Sequence, residues 1–433
     1  PPTAGEAASA DPSEIPVRTP FFGWRVVWLT ALTQALGIGL MALVGVLIPA
    51  LEAEFGASRA TLALGVSIFS LTMIFYGLVL GPRLDRGRIR PIMLSGLALA
   101  TLALLGLSRA AELWQLAALL VLVSVGAARY GPLPAHVLIV NWFSALRGRA
   151  MALATLGLSV TGFSLPPLGA WLIGRMGWRD ALAVLGLGAA AILVPLIWAF
   201  AVKRPEDIGQ FPDGRSGAPT SEPPSRRVPH GVLLRNPNFW WIGAGFGLVM
   251  GAMIASALHL VPHGRDLGLS LQRAALAQMS MSSAALIGKL VAGWLADRVG
   301  LRFAVVSMLC VHAAGWAGLS QAQELPFLMA AAAAVGFGGG GMTTLPALYL
   351  AACFGRAVIG QVGGLNALAS MPFMVIGPPL LGWVYDRTGG YEPAFYGLIG
   401  TTAVALTLLA LVRFPAREPD LGGGPVPEGP SVP

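Results

Sequence analysis

Long apolar segments alternate with short polar loops along most of the chain. Each segment is long enough, at roughly 17 to 25 residues, to cross a lipid bilayer as a helix. Strands of a membrane barrel would be shorter and would alternate apolar with polar residues. The pattern therefore predicts twelve membrane-spanning helices, six on each side of a polar stretch. The predicted spans are 24–48, 60–80, 91–108, 113–140, 151–174, 179–201, 238–262, 272–296, 303–321, 326–352, 361–384 and 392–412.

The composition supports a membrane protein. Of the 433 residues, 55% are hydrophobic and only 11% are charged, whereas soluble domains carry about 25% charged residues. The net charge of +8 comes from cations in the loops rather than from one basic cluster, so we expect no nucleic-acid partner. The two cysteines, Cys310 and Cys353, lie in or next to predicted spans, and we expect no disulfide.

The distribution of arginine and lysine predicts the topology. With both termini placed in the cytoplasm, 19 of the 28 cations lie in loops or at span ends on the cytoplasmic side, 7 lie in loops or at span ends outside, and 2 lie in span interiors. Cytoplasmic loops of membrane proteins carry an excess of cations. We therefore expect a multi-pass protein of the cell's inner (plasma) membrane with cytoplasmic termini. The cations placed outside are Arg59, Arg109, Arg175, Arg179, Arg265, Arg273 and Arg387.

The two groups of six spans are copies of each other. Gly, Pro, Trp, Asp and Arg residues recur at a constant offset of 212 positions. A parallel repeat predicts two bundles related by an axis along the membrane normal, with the substrate site between them near the midplane. Matching pairs are Gly81 and Gly293, Asp85 and Asp297, Arg86 and Arg298, Arg90 and Arg302, and Trp171 and Trp383.

The expected fold is an all-α membrane protein with twelve transmembrane helices in two six-helix bundles related by this internal repeat. Residues 21–201 form the predicted N-terminal bundle, and residues 237–414 form the C-terminal bundle. A cytoplasmic linker rich in Pro, Ser and Arg joins them over residues 202–236. We interpret residues 1–20 as a disordered cytoplasmic tail and residues 415–433 as a second cytoplasmic tail.

Two copies of one loop motif carry a family resemblance. The stretch from Gly81 to Arg90 reads GPRLDRGRIR, and the stretch from Gly293 to Arg302 reads GWLADRVGLR. They resemble the loop 2–3 signature of the major facilitator superfamily and its second-half counterpart. Further strings resemble the bacterial branch of the monocarboxylate and oxalate/formate transporter families. These strings are 22–25, 49–59, 141–143, 147–150 and 259–268.

Lys289 is the first candidate ligand. It is one of only two lysines in the chain and has apolar sequence on both sides. A charge inside the bilayer costs on the order of 3 kcal/mol and normally faces a water-filled cavity or a partner. The resembling transporters place a carboxylate-binding arginine here, so we predict that Lys289 binds a carboxylate and takes part in proton coupling. The alternative is a side chain that extends to the cytoplasmic interface.

Arg129 is the second cation within a span, and its repeat partner is Gly341. Anion binding is one interpretation, and a structural arginine bonded to helix-end carbonyls is the other. All Asp and Glu residues lie at the ends of predicted spans or in loops, and none lies in a span interior, which suits an anionic rather than a cationic substrate. Tyr130, Tyr349 and Asn366 are further candidates for substrate binding, with ordinary helix packing as the alternative for each.

His259, near the outer end of the seventh span, is the candidate for proton coupling because histidine titrates near physiological pH. The resemblance also implies that the charges of the two loop motifs gate the cytoplasmic side. The alternative is that these charges serve only to set the topology. The predicted gating residues are Asp85, Arg86, Arg90, Asp297, Arg298 and Arg302.

We therefore predict a secondary active transporter that moves a small organic anion of the monocarboxylate type by proton-coupled symport. The alternatives are proton-independent anion exchange and export of a larger acidic or amphiphilic compound. A receptor or membrane enzyme would need a sensor or catalytic domain, and the linker is too short and too polar for either. The expected partners are a small carboxylate, the proton and the lipid bilayer. We expect a monomer without enzyme activity, metal or cofactor.

Overall fold

The computed structural model describes residues 21–39, 41–86, 88–144, 146–214, 229–355 and 358–414. Both predicted tails and the middle of the predicted linker lie outside these ranges. The described residues form fifteen α-helices and no β-strand. In chain order the helices are α1 (Gly23–Ile38), α2 (Met41–Phe55), α3 (Arg59–Arg86), α4 (Ile89–Leu107), α5 (Leu113–Tyr130), α6 (Pro132–Trp142), α7 (Arg147–Phe200), α8 (His230–Arg235), α9 (Pro237–Asp266), α10 (Leu271–Arg298), α11 (Leu301–Leu319), α12 (Leu325–Gly341), α13 (Leu345–Phe354), α14 (Ile359–Thr388) and α15 (Glu392–Ala410).

Eleven helical stretches of the described residues are long and apolar enough to cross a membrane. The longest, Arg149–Phe200, contains two of the predicted spans, because Gly177 leaves the helical conformation at φ 80° and ψ 164°. Glycine tolerates positive φ because it lacks a Cβ atom. The twelve predicted spans are therefore all present, and the predicted all-α fold is confirmed.

Three predicted spans are broken rather than continuous. The first divides into α1 and α2, the fourth into α5 and α6, and the tenth into α12 and α13. Pro132 and Pro346 each lie in the first two positions of the second helix of a pair. A proline ring clashes with the carbonyl one turn earlier and cannot continue a helix without distortion. Apolar composition alone did not reveal these breaks.

Glycines bring α10 directly against α12. A Cβ atom added at Gly288 would lie 2.0 Å from the carbonyl oxygen of Phe337, and one at Gly340 would lie 2.2 Å from that of Ala285. Small residues permit such close approach of membrane helices. Successive positions on a helix are about 100° apart. Because Gly288 faces α12, the next residue, Lys289, points toward a different neighbour.

The two bundles meet along three pairs of helices. Helix α2 of the first bundle packs on α9 of the second, α3 packs on α14, and α7 packs on α10. Each bundle has an apolar core of its own, centred on Trp142 in the first bundle and divided between the surroundings of Tyr349 and Trp316 in the second. Smaller apolar clusters cross the interface between the bundles, one joining Ile48 to Leu258 and another joining Val46 to Val261.

Candidate functional site

A cavity of about 320 Å³ lies between the bundles. It is lined by residues of α1, α2, α3 and α7 from the first bundle and of α9 and α10 from the second. Three other cavities, of about 290, 420 and 280 Å³, each lie within one bundle, and none of them has an Asp, Glu, Lys or Arg in its described lining. The polar side chains that line the cavity between the bundles are Ser159, Gln278, Ser282 and Lys289.

One face of α10 supplies most of the polar lining. Gln278, Ser282, Ala285 and Lys289 all line the cavity, and they are spaced by four, three and four positions. Residues at this spacing share one face of a helix. At 1.5 Å per residue, Gln278 and Lys289 are separated by about 16 Å along the helix axis. The cavity therefore has polar groups spread along its length.

Lys289 joins the two bundles across the cavity. Its ammonium group donates a hydrogen bond to the hydroxyl oxygen of Ser159 on α7, with an Nζ–Oγ distance of 3.1 Å. Among the described residues, the cavity lining contains no acidic side chain. An ammonium group has three N–H donors, so a hydroxyl acceptor leaves its charge uncompensated. The geometry suits the binding of an anion at Lys289.

Arg129 lies within the first bundle and does not line the cavity. Its Nη2 atom donates a hydrogen bond to the hydroxyl of Ser95 on α4 at 2.5 Å. Its Nε atom is buried and has no hydrogen-bond partner among the described residues. Close packing explains why the Arg129 side chain lies against α4, because a Cβ atom added at Gly96 of α4 would lie 2.3 Å from the Arg129 Cβ atom. The structure does not bring the two span cations together.

The other three candidates for substrate binding also lie away from the cavity. Tyr130 and Tyr349 are among the largest fully buried side chains, each inside its own bundle. Asn366 is buried, and its amide nitrogen donates to the carbonyl oxygen of Phe239 at 2.8 Å, which ties α14 to α9. Of the five predicted ligands, Lys289 is the one that faces the cavity.

A cluster of charged residues joins the bundles at the N-terminus of α3, which we call the Arg59 end. Arg59 is only 5% exposed and donates two hydrogen bonds to the Asp266 carboxylate, at 2.5 and 2.7 Å. It also donates to the hydroxyl of Tyr391 at 3.0 Å, and its Cζ atom lies 3.8 Å from the ring centroid of Tyr385. Asp266, Tyr385 and Tyr391 belong to the second bundle. Arg59 therefore holds the bundles together at this end.

Asp386 reinforces the same contact from α14. Its two carboxylate oxygens accept hydrogen bonds from the backbone N–H groups of Arg59 at 3.1 Å and Ala60 at 3.0 Å. The first N–H groups of a helix have no partner within the helix, and a negative charge at this terminus is favourable. Close approach is possible because Gly382 has no side chain, and a Cβ atom there would lie 2.6 Å from the Ala60 nitrogen.

The sequence indicates Arg59 only as a cation outside the membrane and indicates no role for Asp266. Both lie in strings that carry the family resemblance. The predicted topology also places the start of the second span and the end of the seventh on one side of the membrane. The opposite charges of Arg59 and Asp266 on that side are the feature of the sequence that could indicate a contact. Whether they pair depends on how the two bundles pack against each other.

His259 belongs to this cluster rather than to the cavity. It is 1% exposed, and its Nε2 donates to the carbonyl oxygen of Pro378 at 3.0 Å. In the neutral ring Nδ1 is then an acceptor, and the hydroxyl of Tyr391 donates to it at 2.8 Å. Burial raises the pKa of the Tyr391 hydroxyl well above its usual range, although Arg59 partly opposes this. Tyr391 therefore stays protonated, accepting from Arg59 and donating to His259.

Four of the predicted gating residues lie at the opposite end of the bundles, which we call the Asp297 end, and two of them, Asp297 and Arg298, have described side chains. Asp297 and Arg298 are exposed in the last turn of α10. The side chains of Asp85 and Arg86 lie outside the part of the chain that the structure describes. A gating role for these residues stays a prediction.

The other two predicted gating residues contact their own bundles. Arg302 donates to the carbonyl oxygen of Val412 at 3.2 Å. The Cζ atom of Arg90 lies 5.6 Å from the ring centroid of Trp198 on α7. Each contact lies within one repeat, so neither joins the two bundles.

The sequence has relatives among transporters. Residues 27–276 and 250–431 match the family model of the Major Facilitator Superfamily. Monocarboxylate transporter 13 of Rattus norvegicus is 28% identical over 377 residues, which cover 86% of this chain and 85% of the relative. Monocarboxylate transporter 11 of Mus musculus is 28% identical over 386 residues, covering 86% of this chain and 83% of the relative.

Solved structures share the fold at low sequence identity. A bacterial homologue of the human lysosomal transporter Spinster, in an inward-facing and occupied conformation, aligns with a TM-score of 0.68 and 16% identity. The alignment covers 91% of this chain and 96% of that one. The unoccupied inward-facing form aligns with a TM-score of 0.69 and 15% identity. The family model spans both bundles, and the chain belongs to the Major Facilitator Superfamily of transporters.

Proposed function

We propose that the protein is a secondary active transporter that moves a small organic anion of the monocarboxylate type by alternating access. The position of Lys289 supports this most directly. Its ammonium group faces a cavity between the bundles, and the described lining holds no acidic residue that could neutralise it. The relatives named monocarboxylate transporters support the same class of substrate.

In this proposal the substrate carboxylate pairs with the Lys289 ammonium group. Ser159 accepts a hydrogen bond from Lys289 and belongs to the other bundle. An arriving carboxylate replaces or shares this contact, and it neutralises a charge that is costly at mid-membrane depth. The loaded carrier then rearranges more readily than the empty one, because the polar contact no longer has to link the bundles.

We further propose that both termini are cytoplasmic, which places the Arg59 end outside the cell. The contacts of Arg59 with Asp266 and Tyr391 then close the outer side of the cavity. Alternating access moves one bundle against the other around the site. Exposure of the cavity to the outside therefore requires that the Arg59 contacts separate.

Proton coupling is assigned to His259 and Lys289. A proton on His259 would convert Nδ1 from an acceptor into a donor. The Tyr391 oxygen would then accept from both His259 and Arg59, with two cations around one atom. That arrangement weakens the closed contact at the Arg59 end, so an outside proton promotes opening to the outside. Lys289 would contribute by releasing its own proton after the anion leaves.

Transport in proteoliposomes tests the proposed function. Counterflow of labelled small carboxylates is expected in the wild type and is expected to fall at least tenfold in Lys289→Ala, because charged hydrogen bonds contribute about 1.5–3 kcal/mol. An inward proton gradient should accelerate net uptake in the wild type. Proton-independent exchange would show counterflow without that acceleration. Unchanged counterflow in Lys289→Ala would contradict the anion site.

Export of a larger amphiphilic acid is the second candidate, favoured by the cavity walls. Met41, Met253 and Met281 line the cavity, and methionine adapts to irregular apolar ligands. Counterflow with short and long carboxylates separates the two candidates. Selective movement of the long acids would support the second.

A further inference from the structure

The cavity has a second polar end that a short monocarboxylate would leave unused. Gln278 lines the cavity and is only 2% exposed. Its side-chain oxygen, Oε1, has no hydrogen-bond partner among the described residues. Buried acceptors without a partner are uncommon, because desolvation of such a group is unfavourable. The unpaired oxygen is therefore suited to a donor that arrives with a ligand.

Gln278 and Lys289 define opposite ends of one binding face. Their backbone positions are about 16 Å apart along the axis of α10. Side chains of a helix lean toward its N-terminus, so the polar groups of Gln278 and Lys289 are displaced in the same direction and their separation stays similar. Two hydrogen bonds of about 3 Å leave roughly 10 Å for the ligand itself. An extended chain covers about 1.2 Å per bond, so the gap corresponds to about eight bonds.

The cavity lining between Gln278 and Lys289 is mostly apolar. Met253 and Met281 line this stretch together with Ala285, and Ser282 provides the one polar side chain of α10 between Gln278 and Lys289. The volume of about 320 Å³ equals that of about ten water molecules at roughly 30 Å³ each. Formate or acetate would fill a small part of it and could not reach from Lys289 to Gln278.

We propose that the carrier selects a medium-chain carboxylate that bears an O–H or N–H donor at its far end. The carboxylate pairs with Lys289, the apolar spacer lies against the methionines, and the terminal donor bonds to Gln278 Oε1. This substrate class rests on the proposed function, because it takes Lys289 as the carboxylate ligand. An ω-hydroxy acid of eight carbons has about nine bonds between its hydroxyl and carboxylate oxygens, or about 11 Å at about 1.2 Å per bond, and so spans the two groups.

Competition against a labelled carboxylate tests the second contact. The probes are 8-hydroxyoctanoate, octanoate, which lacks the hydroxyl, and acetate, which lacks the spacer as well. The wild type should bind 8-hydroxyoctanoate about three- to tenfold more tightly than octanoate, the range that one net hydrogen bond supports. The Gln278→Leu variant should lose this preference. Gln321→Leu, an exposed position between α11 and α12, should keep it.

A second variant guards against misfolding of Gln278→Leu. Gln278→Asn keeps the amide but withdraws it by one carbon, so the preference should move from 8-hydroxyoctanoate to 9-hydroxynonanoate. Equal affinity of the wild type for octanoate and 8-hydroxyoctanoate would overturn the inference, as would a preference that persists in Gln278→Leu. If all carboxylates compete equally and Lys289→Ala abolishes their binding, the inference fails and the proposed function stands. If Lys289→Ala changes nothing, the proposed function fails too.

Discussion

At the scale of single residues, the two cations within the spans have different surroundings. Lys289 faces the cavity and bonds to Ser159 of the other bundle, whereas Arg129 bonds to Ser95 within its own bundle. A serine hydroxyl compensates neither charge, but only Lys289 is placed where a ligand between the bundles can reach it. The two side chains therefore make a matched pair for testing the anion site.

We expect Lys289→Gln to weaken carboxylate binding by about ten- to a hundredfold, because it removes the charge and keeps an N–H donor. Lys289→Arg should retain most of the affinity. Arg129→Gln is the control and should bind the carboxylate as the wild type does. Dissociation constants of the purified protein in nanodiscs measure the effect. An equal loss in Arg129→Gln would place that arginine in the anion site as well.

The sequence was sufficient to find Lys289, because a lone lysine within apolar sequence is visible without a structure. It was not sufficient to find which way Arg129, Tyr130, Tyr349 and Asn366 point. Their direction depends on the rotation of each helix, which is set by local contacts such as that of Gly96 with Arg129. An internal repeat predicts which helices meet, but it carries no information on these contacts.

At the scale of helices, the position of Lys289 depends on the glycine contact between α10 and α12. Gly288 and Gly340 bring the two backbones together, with no space for a Cβ atom at either position. The neighbouring residues of α10 are thereby fixed in rotation, and the face with Gln278, Ser282 and Lys289 is presented to the cavity. The contact between α10 and α12 is therefore expected to matter for both stability and binding.

Gly340→Ala should destabilise the protein by about 1–3 kcal/mol, because the added Cβ atom overpacks the contact with Ala285. Thermal unfolding in detergent should shift downward by on the order of 2 to 5 °C. Gly397→Ala in α15 is the matched control, since nothing lies within 4 Å of a Cβ atom there. A Gly340→Ala protein as stable as the control would show that α10 and α12 can separate without cost.

Three predicted spans are broken into two helices each, and the apolar pattern of the sequence does not predict these breaks. Apolar length predicts a crossing of the membrane but not whether one helix makes it. Pro132 and Pro346 were visible in the sequence, yet proline is also accommodated inside helices here, as at Pro166 of α7 and Pro262 of α9. Whether a proline ends a helix depends on the partners available to the freed carbonyl groups.

At the scale of the whole molecule, the ion pair that links the two bundles in the described part of the chain lies at the Arg59 end. The buried Arg59 side chain donates hydrogen bonds to Asp266, Tyr391 and Glu52. Asp386 accepts a hydrogen bond from the backbone at the start of α3. Removing one partner of a buried ion pair leaves the other charge uncompensated. The closed state of this end should therefore depend on Asp266, although that carboxylate is partly exposed and solvent reduces the effect.

We expect Asp266→Asn to open the Arg59 end more often, since Arg59 then loses its charged partner in the second bundle. A cysteine introduced at Ala257, in the cavity lining, should react faster with an impermeant thiol reagent in this variant. The same cysteine in a Glu324→Asn background, which changes an acid at the N-terminus of α12, provides the control rate. Identical rates in both backgrounds would contradict a gate at Arg59.

The proposed proton coupling predicts a separation of two transport modes. His259→Gln should reduce uptake driven by an inward proton gradient at least severalfold, because glutamine cannot take up the proton. Counterflow without a gradient should persist, since His259 does not line the cavity. Uptake and counterflow lost to the same extent would indicate a purely structural role for His259.

Three of the four polar side chains of the cavity belong to one rigid helix, α10, and only Ser159 belongs to the other bundle. A ligand held along α10 travels with the second bundle and keeps its main contacts whichever way the cavity opens. Its affinity should therefore be nearly the same from either side of the membrane. In the proposed mechanism, a carrier of this kind has no built-in preference for import or export, and the gradients of substrate and proton alone set the direction of net flow.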